Sequence, residues 1–172
     1  MVDYSTLIEE RHSIRVYRNK EVDDEKLMRI LHAANRAPSA GNLQGYQIVA
    51  VRSPEVRRAL ARAALDQESV AQAATVLVFL ADPARSGEKY GHRGETLYCI
   101  QDATIACAYA QLAAADLGLG SVWVGAFRKD DVRAAIGSPP EQRPVALLPL
   151  GYPGEEPPIT PRRSLSDLVR HI

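Results

Sequence analysis

Apolar residues recur at helical spacing over residues 23–36, where Leu27, Ile30, Leu31 and Ala34 form one stripe. Asp23 is placed to cap this helix, and Asp24 and Glu25 suit its positive end. His32 falls off the stripe and belongs on the surface. Residues 3–10 read as a shorter helix with Leu7 and Ile8 inward. Residues 47–52 are rich in Ile and Val and predict a strand. Residues 75–81, Thr-Val-Leu-Val-Phe-Leu-Ala, are apolar without alternation, which predicts a strand buried on both faces. Between these strands, Ser53-Pro54-Glu55 is a strong helix start, followed by Val56, Leu60, Ala63 and Ala64. Polar residues from Asp66 begin another turn or helix.

Residues 95–117 predict the longest helix, roughly 35 Å at 1.5 Å per residue, capped by Gly118. Its alanines at 103, 106, 108, 110, 113, 114 and 115 permit close helix contact, including with a copy of itself. Alanine is also simply the best helix former. Asp102 lies inside this helix, either orienting a partner across an interface or standing as an exposed carboxylate. Residues 118–127 read as a short strand between glycine-rich ends, 130–136 as a short helix closed by Gly137, and 144–150 as another apolar strand.

Two segments break the pattern. Residues 82–94 are polar, contain Pro83, Gly87, Gly91 and Gly94, and read as a long loop, the one lid candidate, carrying Tyr90 and His92. From Gly151 the chain gains Pro153, Pro157, Pro158 and Pro161 and cannot build a core of its own. Leu165, Leu168 and Val169 favour an arm laid on another surface over a disordered end. With 172 residues, no internal repeat and no second core, the expectation is a single domain.

Composition narrows the partners. The chain is 46% apolar with Lys+Arg and Asp+Glu equal at 21, so it is globular, and nucleic acid or an anionic membrane is not its main partner. No apolar run approaches a membrane span and the first residues carry no apolar signal core. Cys99 and Cys107 are eight apart on one helix, about 12 Å at 1.5 Å per residue, too far to bridge. A cytoplasmic protein with reduced thiols is expected.

The usual catalytic sets are missing: no Gly-x-Ser-x-Gly, no His-Glu-x-x-His, no Cys-x-x-Cys. Histidines at 12, 32, 92 and 171 form no cluster, and His12 has no second ligand at usable spacing, so no metal is expected. What remains is an anion site from Arg11, Ser13 and Arg15, which read otherwise as a solvated basic turn. Ser39, Asn42 and Gln44 lie on a tight loop and could read the polar edge of a flat ring, or simply make a turn. Gly125 lets backbone approach a ligand, and Arg162-Arg163 is a second basic pair. A phosphorylated, flat, hydrogen-bonding ligand suits this set. Flavin mononucleotide (FMN) has that shape, and its ring performs hydride transfer without protein acids and bases.

Four motifs then occur in order: Arg-His-Ser-Ile-Arg at 11–15, Ala-Pro-Ser-Ala-Gly-Asn-Leu-Gln at 37–44, Gly-Leu-Gly-Ser-Val-Trp-Val-Gly-Ala-Phe at 118–127, and Pro-Arg-Arg at 161–163. Together they resemble the FMN-dependent nitroreductase family over nearly the whole chain. The resemblance implies an α+β fold, three layers α/β/α around a mixed, largely antiparallel sheet, in an intertwined homodimer with two FMN sites at the interface. It implies one FMN-binding domain over 1–172, with 151–172 as a C-terminal arm over the partner subunit. By the same resemblance Arg11, His12, Ser13 and Arg15 would hold the phosphate and ribityl end, with Arg15 the candidate for positive charge near N1 and O2. Pro38, Ser39 and Ala40 would pack by the ring from the partner chain, and Asn42 and Gln44 would meet its polar edge. Val124 and Gly125 would lie near the flavin N5, with the Gly125 backbone as donor, and Arg162 and Arg163 would close on the phosphate. The implied activity is ping-pong electron transfer from NAD(P)H to a small organic acceptor, nitroaromatic- or quinone-like. The alternatives are a flavin-binding protein without turnover, and a family member acting as a dehydrogenase or on the flavin itself. Two departures stand out: Gly45-Tyr46 where many members have Pro-Trp, and a chain too short for the lid of longer members.

Overall fold

The computed structural model describes residues 3–172. Among them, β1 (Tyr46–Val51), β2 (Thr75–Ala81), β3 (Gly120–Ser121) and β4 (Arg143–Gly151) form one sheet in the order β1-β2-β4-β3. All three pairings are antiparallel, and a single parallel bridge, Ser13 to Ser121, adds the N-terminal segment beside β3. The β2–β4 register shifts between Phe79 and Leu80. The sheet is thus mixed only by that bridge, and the fold class is α+β.

β2 is buried along its whole length, as its unbroken apolar run requires. Its side chains alternate between two cores. Val76, Val78 and Leu80 face α3 (Pro54–Ala63), α4 (Glu68–Gln72) and α7 (Lys129–Ile136), meeting Leu60, Val70 and Val132. Leu77 and Phe79 face α2 (Asp24–Asn35) and α6 (Cys99–Asp116), meeting Ile30, Ala34, Ala106 and Ala110. Each fully buried Leu, Val or Phe here contributes roughly 1.5–3 kcal/mol, so the two faces of one strand hold the three layers together. Among the described residues no helix is long and apolar enough to cross a membrane.

Several expectations are corrected. Residues 82–94 are not a loop: α5 (Pro83–Arg93) fills them, started by Asp82, whose side chain accepts from Arg85 N–H at 3.1 Å, and by Pro83 in the first turn. The glycines that suggested a loop are absorbed; Gly91, at φ 53°, takes the kink. A π-helical turn, Gly94–Tyr98, joins α5 to α6, so the long helix begins at Cys99. On α1 (Tyr4–Glu10), Leu7 is half-buried but Ile8 is 45% exposed. Asp23 precedes α2 without capping it through its side chain; its carboxylate instead accepts from the Tyr152 hydroxyl at 2.8 Å. The strand expected over 118–127 shrinks to Gly120–Ser121, plus a bridge from Val124 to Leu147. Asp102 is buried rather than exposed.

The N-terminal segment is pinned by side-chain size. Ile14 N–H donates to Ser121 O at 2.9 Å, and its side chain lies where a Gly120 Cβ would stand only 2.7 Å away. Tyr17 sits likewise over Gly151, 2.8 Å from the position of its Cβ. Gly120→Ala is expected to lower stability by about 1–3 kcal/mol, the usual range for overpacking. Urea denaturation checks this; an unchanged midpoint would mean that Ile14 is not held against the sheet.

Candidate functional site

Basic side chains gather where the N-terminal segment meets the C-terminal tail. The bridge at Ser13 and the bond from Ile14 carry residues 11–14 along β3. Arg18 N–H donates to Tyr152 O, and Gly154 N–H to Val16 O, both at 2.9 Å, so the tail leaves the sheet along residues 16–18. Glu155 fixes it further: one oxygen accepts from Arg15 N–H at 2.6 Å and Val16 N–H at 3.1 Å. That oxygen is taken by backbone, and Glu155 forms no ion pair with an arginine among the described residues.

Arg11 is half-buried, and its guanidinium is held below its ordinary pKa by burial first and then by the charge of Arg162. The charge of Arg162 thus acts on Arg11 from more than 150 positions away, and neither forms an ion pair among the described residues. A guanidinium fork without an ion-pair partner suits an anion with several oxygens. Arg11 and His12 line a cavity of about 290 Å³ with Gly118, Leu119, Gly120, Ser121 and Glu155. His12 Nδ1 lies 2.7 Å from Glu10 O, which orients the ring locally. Arg15 is exposed. Arg163 turns away, donating to Asp167 O at 2.8 Å at the end of α8 (Leu165–Leu168).

The loop after α2 forms a second surface. Pro38, Ser39 and Ala40 line a groove of about 520 Å³ with Tyr98, Gln101, Asp102 and Ile105. Beyond them Gly41, Asn42 and Gln44 all have left-handed backbone, at φ 56°, 58° and 51°. Non-glycine residues so held cost of order 1–3 kcal/mol each and cluster at ligand sites. Local bonds support them: Ser39 Oγ accepts from Gln44 N–H at 3.0 Å, and Ser39 O from Asn42 N–H. Asn42 is exposed, free to meet a ligand. The Gln44 side chain is not: its amide donates to Asn35 Oδ1 at 2.8 Å, in a different pocket with Tyr46 and Arg85.

Val124 is buried and paired to Leu147 in both directions at 2.9 Å. Gly125 follows it, exposed, and no described residue accepts from its N–H. Within one chain, then, Arg11 and His12 line one cavity, and Pro38, Ser39 and Ala40 line another. Sequence reasoning left Asp102 undecided, gave Tyr90 only as part of a lid loop, and missed the contributions of Glu155 and Tyr98. The signal for Asp102 was present: it is the charged member of the otherwise apolar series Cys99, Ala103, Ala106, Cys107, Ala110, Ala114 that α6 buries.

Comparison with known proteins gives the family. The family model described as "Nitroreductase family" matches residues 8–82 and 66–152. A Thermus thermophilus protein named NADH dehydrogenase is 36% identical, over 91% of this chain and 89% of its own. The oxygen-insensitive NADPH nitroreductase of Salmonella typhimurium is 31% identical over 92% of this chain and 69% of its own. Among solved structures, the NADPH:FMN oxidoreductase from Vibrio harveyi complexed with NAD+ superposes with a TM-score of 0.89 at 30% identity, over 97% of this chain and 76% of that one. Matched over residues 8–152, which carry its sheet, Arg11 and its left-handed loop, the chain belongs to the nitroreductase family.

Proposed function

We propose that this protein is an FMN-dependent NAD(P)H oxidoreductase that passes electrons to a small organic acceptor, nitroaromatic- or quinone-like, by a ping-pong mechanism. The observation that carries the reading is Arg11, half-buried in the wall of a cavity at the edge of the sheet and without an ion-pair partner among the described residues, with the charge of Arg162 acting on it. A dianionic phosphate fits it: two guanidinium forks, the Ser13 hydroxyl and backbone amides are its natural donors. The named activity of the Vibrio harveyi relative supports a flavin, and FMN within that class, because the site offers charge for one phosphate.

When FMN is bound, the group supplies hydride chemistry itself. The chain's residues bind and orient. Arg11, His12, Ser13 and Arg162 would hold the phosphate end, with Arg15 nearer the ribityl chain. Asn42 would donate to the polar edge of the ring, and the free Gly125 N–H would donate near N5. Val124, locked to Leu147, keeps that amide in place. Pro38, Ser39 and Ala40 would form an apolar wall. No residue is assigned as an obligatory proton donor.

Because the wall and Arg11 line different cavities in one chain, a homodimer is part of the proposal, with each wall serving the partner's site. Two surfaces support it. α6 leaves Gln101, Thr104, Ala108 and Tyr109 exposed on the face away from the core. In the arm, residues 151–172, Leu165, Leu168 and Val169 are 75%, 57% and 49% exposed, which fits apolar side chains awaiting a second copy.

Three outcomes are expected. The purified chain takes up FMN, its flavin bands are bleached by NAD(P)H and restored by a quinone, and initial rates give parallel double-reciprocal lines. Bands that NAD(P)H leaves untouched would favour a flavin-binding protein without turnover. Arg11→Ala or Arg162→Ala weakens FMN binding roughly tenfold to a hundredfold, the range for a charge-assisted hydrogen bond, while riboflavin binding and Arg163→Ala controls change little. Equal loss for FMN and riboflavin would remove these arginines from the phosphate. Finally, Leu165→Asp with Leu168→Asp shifts the sedimentation coefficient from dimer toward monomer; an unshifted dimer would mean that the arm does not hold it.

A further inference from the structure

We propose that Asp102 is the positioning residue that fixes the ring-facing loop, an inference that rests on the flavin reading above. Its carboxylate is 2% exposed and lies within α6, the longest helix of the fold. One oxygen, Oδ1, accepts from Ala40 N–H at 2.9 Å, and the other, Oδ2, accepts from Gly45 N–H at 3.1 Å. Those two amides bracket the left-handed residues Gly41, Asn42 and Gln44. A single rigid side chain therefore ties both ends of the strained loop to the helix, and Asn42 is held between them.

Only a carboxylate fits this task. Both of its oxygens accept, whereas an asparagine would turn an NH2 group toward one of the two amides and set donor against donor. Asp102 has no cationic partner among the described residues, so it is not one half of a structural ion pair. Its charge is met by loop backbone instead, which makes the loop's conformation and the burial of the carboxylate depend on each other. Gly45 completes the fit. A Cβ there would stand 3.2 Å from Asp102 Oδ2 and 3.1 Å from Ser86 Cβ, so a side chain would wedge the amide away from its acceptor. On one side the loop abuts Tyr90 and Lys89, which lie 2.5 Å and 2.8 Å from where a Gly41 Cβ would be, and Arg85, whose Nε donates to Leu43 O at 2.5 Å, while Asn42 stays exposed.

The placement has a consequence for the proposed dimer. α6 presents Asp102 to its own loop and Gln101, Thr104 and Ala108 outward. The same helix then sets both where a second copy sits and where the Asn42 loop stands relative to it.

The test compares wild type with Asp102→Asn and Gly45→Ala, the second perturbing the same clamp while keeping the carboxylate. In the flavin-free chain, hydrogen exchange followed by NMR is expected to show slow Ala40 and Gly45 amides in wild type. Both speed up at least tenfold in Asp102→Asn, and Gly45 speeds up selectively in Gly45→Ala. In the FMN-loaded chain, Asp102→Asn alters the visible bands and the midpoint potential of the flavin, whereas the response of binding to Arg11→Ala is retained. Unchanged exchange at both amides in a folded Asp102→Asn chain would overturn the clamp. Faster exchange with an unaltered flavin spectrum and potential would overturn its link to the ring. Should Asp102→Asn fail to fold, Gly45→Ala decides by the same two readouts. A wild-type chain that takes up no FMN would refute the flavin reading and the ring assignment with it, while the exchange arm still decides the clamp.

Discussion

Everything in this molecule is arranged around a strand that water cannot reach. Thr75–Ala81 has no polar face, so it is stable only if both sides are covered and both edges are paired. Its edges go to β1 and β4, and its sides go to α2 with α6 and to α3, α4 and α7. The alternation of Val76, Val78 and Leu80 against Leu77 and Phe79 decides which helix lies on which side. The candidate site inherits its geometry from that choice. α6 is fixed by burying Ala106, Cys107, Ala110 and Ala114, and this places Asp102 beneath the loop that follows α2.

At the other end of the sheet the constraint is steric. Gly120 and Gly151 are small enough for Ile14 and Tyr17 to lie directly on the strands. The Tyr17 hydroxyl donates to Ile14 O at 2.7 Å, and burial before all else pushes its pKa far up, so it stays a neutral donor throughout the useful pH range. The segment bearing Arg11 and Ser13 is therefore held by fit and by backbone bonds, without using the charges themselves. The arginines remain available for an anion.

Much of this was legible in the sequence. The unbroken apolar run at 75–81, the Leu27-Ile30-Ala34 stripe and the Ser53-Pro54 helix start each have one dominant local cause, and each appears where expected. The 82–94 segment failed because two signals competed. Three glycines spoke for a loop, although Asp82-Pro83 is a helix start of the same kind as Ser53-Pro54; in the fold, tight contacts explain two of them, Gly87 against Glu95 and Gly94 against the Ser86 carbonyl, and the kink at Gly91 explains the third. Asp23 failed differently: its position was right for a cap, and a distant hydroxyl, Tyr152, took the side chain. At the site, the residue types were legible but their company was not. Nothing local told Arg162 from Arg163, yet one stands by Arg11 and the other closes α8. Gln44 looked like a ligand-facing amide and is bound to Asn35. Such choices are made by contacts between distant segments, which spacing along a chain does not encode.

The division of labour within the proposed site follows from charge. A phosphate can be gripped by groups that sit at a surface, because charge-assisted bonds tolerate some solvent and some motion. A neutral ring offers no such handle; what reads it must already be in place, or the ordering cost consumes the binding energy. The two halves of the fold are built accordingly. The arginines belong to exposed or half-buried segments, one of them on an arm with little packing of its own. The loop is anchored to the core: its two ends are bonded to a buried carboxylate, its serine to its own glutamine, and one side of it abuts α5. Backbone strain at Asn42 and Gln44 is tolerable only on such a foundation. A flexible loop would relax to ordinary turn geometry and lose the orientation that distinguishes a ring-reading amide from a solvated one. That requirement accounts for a buried, unpaired aspartate in the middle of an alanine-rich helix, where no packing argument would place it.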